Sequence, residues 1–321
     1  MRKGEDMSED IPAWRKLLAQ LTENNPAERQ RAASELGVST VTLVRWMTGE
    51  SRPRTESLQK LPSVFPLYSA ALNESIRNYL SPGSVGTPSV PTELTERVFE
   101  ALATSGGTFS SWSICNMLLL KAIEQLDPSD LGMEISVVQC VPPKQEQLVR
   151  SACERIGVGS SPWSSGVKRR VLFLGAESLA GYVIGRGEPA SVGDMRQEGS
   201  LPVRPGAYEK SAAAHPLLRR GRIAGCLLVS STQTDFFTPA SLALIEQYTN
   251  RIALAFADDE FYRQSEISLH FLPLASEQDQ HHQTTQFRER IAALRQANAF
   301  RLGEAEAEIR VLQDMEDELI R

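Results

Sequence analysis

Cysteine and histidine are scarce in this 321-residue chain, with four of each. Cys115, Cys140, Cys153 and Cys226 are scattered and form neither a CxxC pair nor any other metal-ligand spacing. The pattern predicts reduced, mostly buried thiols and no metal site. No arrangement of nucleophile, acid and base is legible either, so we expect no catalytic residues and a protein that is not an enzyme.

Long apolar runs are missing as well. No stretch approaches the roughly 18 residues of a membrane span, and the start, MRKGEDMSEDIPAW, lacks the apolar core of a signal peptide. We therefore expect a cytoplasmic protein with no membrane partner. The formal net charge of −6 argues against a chain that coats nucleic acid along its whole length, although a local basic face remains compatible with it.

The sequence divides into three parts. Residues up to Ile11 are charged and predicted to be loose, and residues 11–80 follow a helical pattern with a start signal at Asn24–Pro26. The Pro-, Gly- and Ser-rich stretch 81–92 is typical of a linker. Residues 93–263 form the second part, and residues 283–321 form a charged third part.

Helices and strands are mixed in the second part. MEISVVQCV, KRRVLFLG and RIAGCLLVSS are predicted as strands, and AYEKSAAAHPLL is a weaker strand candidate. QEQLVRSACERIG is predicted as a helix that ends at its glycine, and TPASLALIEQYTNRIALAFADDEFY as a long amphipathic helix. The order favours an α+β sandwich with an antiparallel sheet.

The third part shows the 4-3 apolar spacing of a coiled coil, if Glu316 is accepted at one position of the apolar seam. The register slips by one residue between Leu294 and Leu302, which resembles a stutter. The prediction is a C-terminal coiled-coil helix at 283–321. The alternative is a lone helix that packs on the body of the protein.

The stretch AASELGVSTVTLVRWMTGESRP, residues 32–53, has the pattern of two short helices joined by a turn. Gly37 suits the positive φ of such a turn, and Ser39 is a good N-cap for the second helix. Leu43 and Trp46 then fall on the buried face. The residues left on the outer face are Thr40, Val41, Val44 and Arg45.

The longer stretch RQRAASELGVSTVTLVRWMTGESRPRTESLQKL resembles the lambda-repressor-like helix-turn-helix family, including the closing W.TG..RP. The resemblance implies an all-α domain that binds double-stranded DNA with its second helix in the major groove. It implies base contacts for the four outer-face residues and phosphate contacts for Arg29 and Ser39. Arg52 and Arg54 are expected to reach the DNA backbone. The alternative is a degenerate domain that only packs against a protein partner.

Charge and symmetry bear on this interpretation. Between Ile11 and Lys60 there are eight basic and five acidic residues, a local positive excess in an acidic chain. Arg45 is suited to guanine, and the two valines to thymine methyl groups. One small domain offers little contact area, so we expect a dimer whose two reading helices lie about 34 Å apart.

The second part resembles a GAF domain over about residues 92–262. The resemblance rests on SLAGYVIGRGEP, then HPL…G.IAGCLLVSS, then FFTPASLALIE and a terminal helix. It implies a central antiparallel sheet with helices on one side and a pocket on the other, and either binding of a small ligand or dimerisation through the first and last helices. The implied pocket residues are Phe173, Glu177, Ser178, Leu179, Tyr182, Asp194, Tyr208, Ala213 and His215.

Two residues of this part have alternative interpretations. The backbone N–H groups near Gly181 suit an anionic ligand, but the glycine is equally explained by tight packing. His215 is either a ligand of haem or of a polar molecule, or a histidine satisfied by the backbone. The cysteines match neither the bilin attachment of phytochrome-like GAF domains nor a thiol relay.

Together these patterns predict a cytoplasmic DNA-binding transcriptional regulator. Its GAF domain senses a small ligand, holds a homodimer, or does both, and the C-terminal coiled coil fixes the pairing. No cofactor is required, and the ligand is an unknown small molecule. The alternative is a signalling scaffold in which the GAF domain and the coiled coil dimerise and recruit a protein partner without sensing a ligand.

Overall fold

The computed structural model describes residues 12–23, 25–80, 89–104, 108–145, 147–163, 166–196, 206–274, 277–278, 280–299 and 301–320. The predicted loose start and most of the predicted linker at 81–92 lie outside these ranges. The chain forms two compact units. One contains residues 1–86 with 234–236, here called the N-terminal unit, and the other contains residues 87–233 with 237–321, here called the sheet unit.

The N-terminal unit is helical, as the sequence predicts. Its helices are α1 (Ala13–Thr22), α2 (Pro26–Leu36), α3 (Thr40–Thr48), α4 (Thr55–Val64) and α5 (Ser69–Leu80). Two tryptophans, Trp14 and Trp46, are buried at the centre together with leucines from all five of these helices. Ala32 and Ala33 are also buried there, and their small size allows α2 to approach its neighbours closely.

The joint between α2 and α3 has the predicted turn chemistry. Gly37 ends α2 with φ of 68°, in the left-handed region that glycine adopts without strain. The Ser39 hydroxyl accepts a hydrogen bond from the Thr42 N–H at 3.0 Å and so caps α3. Leu43 and Trp46 are buried beneath α3, which fixes the face that this helix turns outward.

The sheet unit contains six strands and six helices among the described residues. The strands are β1 (Met133–Cys140), β2 (Ala152–Gly159), β3 (Gly166–Leu174), β4 (Ala190–Val192), β5 (Ser211–Arg219) and β6 (Arg222–Ser231). They pair antiparallel in the order β3-β2-β1-β6-β5-β4. The helices are α6 (Thr92–Thr104), α7 (Thr108–Leu126), α8 (Leu179–Arg186), α9 (Pro239–Ala253), α10 (Gln280–Ala297) and α11 (Glu304–Ile320).

The two faces of the sheet carry different covers. Helices α7 and α9 pack on one face, with α10 on the same face over the edge strand β3. Helix α8 packs on the other face over β5 and β6. Residues 261–272, here called the strap, follow α9 and reach this second face, where Tyr262, Ile267 and Leu269 join the apolar cluster beneath α8.

The strap is held by the main chain. It pairs with the start of β6 through Tyr262 and Ile223, whose N–H groups and carbonyls bond at 2.8 and 2.9 Å. It then pairs with the segment before β2, where the Val149 N–H donates to the Glu266 carbonyl and the Ser268 N–H to the Val149 carbonyl, both at 2.9 Å. Backbone pairing of this kind holds the strap independently of its own side chains.

The prediction of a helix for QEQLVRSACERIG is wrong. The segment forms the end of a loop followed by β2, whose residues are all buried. The spacing of its polar residues is that of the solvent-exposed face of a helix. In the structure, however, Glu154 and Arg155 are buried and paired with residues distant in sequence. The strand state therefore depends on tertiary partners that a local pattern does not contain.

The prediction of one continuous coiled-coil helix at 283–321 is also wrong. The segment forms α10 and α11, separated near Gly303, and the two helices pack against each other as a hairpin. Their apolar side chains, among them Phe287, Leu312 and Met315, cover the sheet residues Val171 and Phe173. The apolar stripe is thus buried within the same chain, and pairing of this stripe with a second copy is not confirmed.

Candidate functional site

The outer face of α3 is open to solvent in the N-terminal unit. Val41 is 59% exposed, and the Thr40 and Arg45 side chains are exposed beside it. Val44 is half-buried. Among the described residues, Arg45 is paired with Glu50, whose Oε2 lies 3.8 Å from the Arg45 Nε, and both side chains face water. An exposed pair at this distance is weak, so Arg45 can exchange Glu50 for another partner at little cost.

The residues predicted to contact phosphate differ from one another. Arg52 and Arg54 are exposed on the segment between α3 and α4. Ser39 is committed to capping α3. Arg29 donates through Nε and Nη2 to the Thr22 carbonyl at 3.1 and 2.9 Å, so it caps the end of α1. Arg29 therefore has an intramolecular role, and its predicted contact with phosphate stays a prediction.

The residues predicted to line a GAF pocket are not gathered in one place. Leu179 and Tyr182 belong to the apolar cluster beneath α8. Phe173 is fully buried on the opposite face, against the C-terminal hairpin. Ala213 and His215 point toward α9, because residues two apart on a strand share a face while Ala212 and Ala214 face α8.

The polar members of the predicted set have structural partners. Glu177 accepts hydrogen bonds from the N–H groups of Gly175 and Leu272, both at 2.8 Å, and so fastens the end of the strap. Ser178 caps α8 by accepting from the Gly181 N–H at 2.9 Å. Asp194 is paired with the exposed Arg196 at 3.2 Å. Tyr208 is half exposed and packs edge-on against Trp163.

Gly181 is explained by tight packing. A Cβ atom at this position would lie 1.8 Å from the Gly175 carbonyl oxygen, which is far inside van der Waals contact. Its N–H group is already bonded to Ser178. Of the two interpretations open at the sequence level, the structure supports close approach of backbones and leaves no free N–H at Gly181 for an anion.

The face beneath α8 is filled by side chains. Val138, Leu172, Val183 and Ile184 are all at least 95% buried there, together with two cysteines. Tyr262, Ile267 and Leu269 of the strap pack against the same cluster. This face thus has the dense apolar packing of a protein core.

His215 lies in a groove between β5 and α9 whose volume is 360 Å³. Burial lowers the pKa of the His215 imidazole, so the ring is neutral at pH 7. Its Nδ1 lies 3.3 Å from the Pro216 carbonyl oxygen. Glu246 of α9 lines the same groove. The predicted haem or polar ligand at His215 remains a prediction.

The four cysteines are free and buried. Burial raises the pKa of Cys140 to about 12 and raises the pKa of its neighbour Cys226 as well. Thiols in this state are poor nucleophiles at neutral pH, because the thiolate is the reactive form. Among the described residues there is no cluster of three or more groups suited to hold a metal ion.

A second cavity was not predicted from the sequence. It has a volume of 330 Å³ and lies where α10 and α11 meet α7 and the β2–β3 edge. Its lining is rich in arginine, including Arg155 of β2 and Arg169 of β3. The misassignment of β2 as a helix concealed this site, although the run of basic residues KRR at the start of β3 was a visible signal.

The sheet unit is similar to proteins of a known family. The family model of the GAF domain matches residues 117–257. This part of the chain is a GAF domain. GAF domains are sensory and signalling domains. The match covers α7 to the segment just after α9, so the GAF domain ends before the strap and the C-terminal hairpin.

Several solved structures are similar to this chain at low sequence identity. The GAF domain of an Acinetobacter phosphoenolpyruvate-protein phosphotransferase is 16% identical, with a TM-score of 0.36, over 51% of this chain and 90% of that one. The free methionine-R-sulfoxide reductase of Neisseria meningitidis is 13% identical, with a TM-score of 0.34, over 58% and 89%. A structure of residues 122–287 of a methyl-accepting chemotaxis protein is 13% identical, with a TM-score of 0.36, over 50% of this chain and 93% of that one. No curated protein matches the chain.

The family match does not extend into the N-terminal unit. None of the helices in the described ranges is both long and apolar enough to span a bilayer.

Proposed function

We propose that the chain is a DNA-binding regulator in which the N-terminal unit reads DNA and the GAF domain serves as its signalling part. The observation that carries the proposal is the outer face of α3. The turn at Gly37, the cap at Ser39 and the burial of Leu43 and Trp46 leave Thr40, Val41 and Arg45 outward. A short helix held this way has the geometry needed to enter a major groove.

Charge supports the same proposal. The exposed side chains of Arg45, Arg52 and Arg54 lie on α3 and directly after it. Three arginines within ten residues supply the kind of phosphate and base-edge contacts that dominate protein–DNA interfaces. The reading face has few hydrogen-bonding groups, so part of the recognition is expected to come from apolar contact of Val41 with thymine methyl groups.

The experiment is a comparison of Arg45→Ala with a matched control. DNA fragments that bind the full chain are selected from a random library, and the affinities of wild type and variant are measured on selected and on random DNA. We expect Arg45→Ala to lose about 1–3 kcal/mol on selected sites and much less on random DNA, since a base contact is sequence-specific.

Lys60→Ala removes one exposed positive charge from α4 and serves as the control. It should weaken binding to both kinds of DNA by similar, small factors. An equal loss on both kinds of DNA for Arg45→Ala would remove Arg45 from base reading. Failure of the wild-type chain to select any fragment at low salt would refute the DNA-binding proposal.

One observation favours the second candidate, a scaffold whose GAF domain holds no ligand beneath α8. That face is filled by its own side chains, as described above. Native mass spectrometry of the protein purified from its own host tests whether the protein holds a small ligand. A dimer without a bound small molecule supports the scaffold, and a co-purifying small molecule supports a sensor.

A further inference from the structure

The arginine-lined cavity has an unusual group at its base. Arg155 is only 8% exposed, although its side chain is charged. Its Nη2 donates to Glu308 Oε2 at 2.7 Å. Its guanidinium carbon lies 5.5 Å from the centre of the Trp112 ring and 4.9 Å from the centre of the Phe287 ring. The two aromatic rings thus hold this guanidinium in one position.

The Arg155 Nη1 is buried and has no hydrogen-bond partner among the described residues. A buried charged donor left without an acceptor costs free energy, because water no longer solvates it. The chain nevertheless holds it rigidly at the wall of a cavity. An acceptor oxygen supplied by a ligand would satisfy this donor, and that is the first indication of an anion.

Positive charge is in excess around the cavity. Of its lining residues, Arg170 is bound by Glu134 and Glu154. The remaining charged lining consists of four arginines and two glutamates. Glu308 is taken by Arg155, and Glu304 lies 3.6 Å from Arg295.

Arg169 and Arg288 supply the excess positive charge of the cavity lining. Neither has a carboxylate within 4 Å among the described residues. Arg169 lies over the Trp112 ring at 5.8 Å, so it is held at the rim. Arg288 lies on α10 and lines the same cavity. Two uncompensated guanidinium groups from different elements of one cavity lining favour an anionic guest.

The rest of the lining is apolar apart from Thr284. Val171, Ile291 and Ala292 contribute hydrocarbon surface next to the arginines. A volume of 330 Å³ lies in the range of small-molecule sites. A guest that satisfies both surfaces has one anionic end and one apolar body.

We propose that this cavity binds a small organic anion. Its carboxylate or phosphate group is held by Arg155, Arg169 and Arg288, and its apolar body lies against Val171 and Ile291. The site lies between the GAF sheet and the C-terminal hairpin, so it is separate from the face beneath α8. It does not depend on the DNA-binding proposal, because all of its residues belong to the sheet unit.

The test is calorimetric titration of the full chain with phenyl phosphate, benzoate and inorganic phosphate at low ionic strength. We expect saturable binding of phenyl phosphate or benzoate, and binding of inorganic phosphate at least tenfold weaker than that of phenyl phosphate. In Arg169→Gln/Arg288→Gln the affinity for the organic anions should fall at least tenfold. Both residues are exposed, so the variant is expected to fold, and its thermal unfolding is checked against wild type.

Arg222→Gln/Arg263→Gln removes the same charge from exposed positions outside the cavity and should bind as wild type does. Glu304→Gln should bind the organic anions more tightly, because it removes a competing carboxylate. A change in tryptophan fluorescence on binding should disappear in Trp112→Phe. The proposal is overturned if none of the three probes binds saturably at millimolar concentration. It is equally overturned if the Arg169/Arg288 and Arg222/Arg263 variants lose affinity to the same extent.

Discussion

At the scale of single residues, Gly181 shows how close the backbones of the GAF domain approach one another. Gly175 lies between Gly181 and the strap, and a Cβ atom on Gly175 would fall 2.0 Å from the His270 carbonyl oxygen. Three backbone segments, at His270, Gly175 and Gly181, therefore lie in direct contact with no side chain between them. Space for a methyl group at either glycine requires a shift of main chain.

Gly181→Ala is expected to lower the free energy of unfolding by about 3 kcal/mol, because overpacking against a backbone carbonyl cannot be relieved by a rotamer change. Gly185→Ala is the matched control, since it lies in the same helix and has nothing within 4 Å of its Cβ position. It should be neutral or stabilising by up to about 1 kcal/mol. Urea unfolding of both variants measures the difference. Equal stability of the two would disprove the tight contact at Gly181.

Residues also mark the limit of sequence prediction. The turn at Gly37, the cap at Ser39 and the strands around Val137 and Leu227 were predictable, because their signals are local. The burial of Glu154 and Arg155 in a strand was not predictable, because it depends on ion pairs with Arg170 and Glu308, which are distant in sequence. The candidate cavity depends on that second kind of residue, so the sequence alone could not have located it.

At the scale of elements, the C-terminal hairpin is fastened to the sheet unit by charge. Arg150 donates to Glu316 and to Asp317, each at 2.6 Å, and Lys144 donates to Asp317 at 2.7 Å. Glu316 is 98% buried and also accepts from the Ser151 hydroxyl. Glu316, a charged residue at an apolar position of the predicted coiled coil, thus attaches α11 to Arg150 and Ser151 next to β2.

Asp317→Asn is expected to reduce the free energy of unfolding by about 1 kcal/mol at neutral pH. Lys144 and Arg150 lower the pKa of the Asp317 carboxyl in the folded state. Its contribution is therefore complete above the pKa of an unfolded aspartate, about 3.9, and is lost as the pH falls through the lower folded pKa. Urea unfolding at several pH values should show a flatter pH dependence below about pH 4 in the variant.

Glu306→Gln provides the comparison for this series. Glu306 belongs to the same helix, and its partner Arg310 lies one turn away on the surface. Its removal should change stability by a few tenths of a kcal/mol and leave the acid dependence unaltered. A pH profile of Asp317→Asn that superimposes on wild type would show that the Lys144–Asp317 contact does not stabilise the docked hairpin.

At the scale of the whole molecule, the helical layer of the sheet unit exposes apolar side chains. Phe99 on α6, Leu120 on α7 and Leu254 directly after α9 are 56%, 42% and 38% exposed. Scattered exposed apolar residues are ordinary, but these three belong to adjoining helices of one layer. We propose that two copies pair through this layer, as the sequence predicts for a homodimer held by the first and last helices of the GAF-like part.

Phe99→Glu/Leu254→Glu is expected to shift the protein toward the monomer, because two carboxylates would be buried at the proposed interface. Sedimentation velocity measures the change. Affinity for a two-half-site DNA fragment should fall by at least tenfold while affinity for a single half-site stays constant, since only linked binding is lost. Leu67→Glu alters a leucine of the N-terminal unit that is 94% exposed, and should leave the association state unchanged. A wild-type monomer at high concentration would refute the pairing proposal.

The α+β arrangement of helices around an antiparallel sheet was predictable at this scale from the order of the helices and strands. The strap was not, because residues 261–272 have neither strand periodicity nor helix signals and are held mainly by main-chain pairing. The hairpin was misjudged for the opposite reason. Its apolar repeat is real, but Val171 and Phe173 of β3 occupy the place that a second helix would take in a coiled coil.

The course of the chain after α9 has a practical consequence for anyone who trims this protein. The family match stops at residue 257, whereas the strap and α10–α11 shield Val149, Cys153 and Phe173. A recombinant fragment that ends at residue 257 would expose β-sheet edges and apolar side chains to water, and we expect it to aggregate. Expression of a stable GAF fragment therefore requires the chain through Ile320, because the strap and the hairpin cover the sheet.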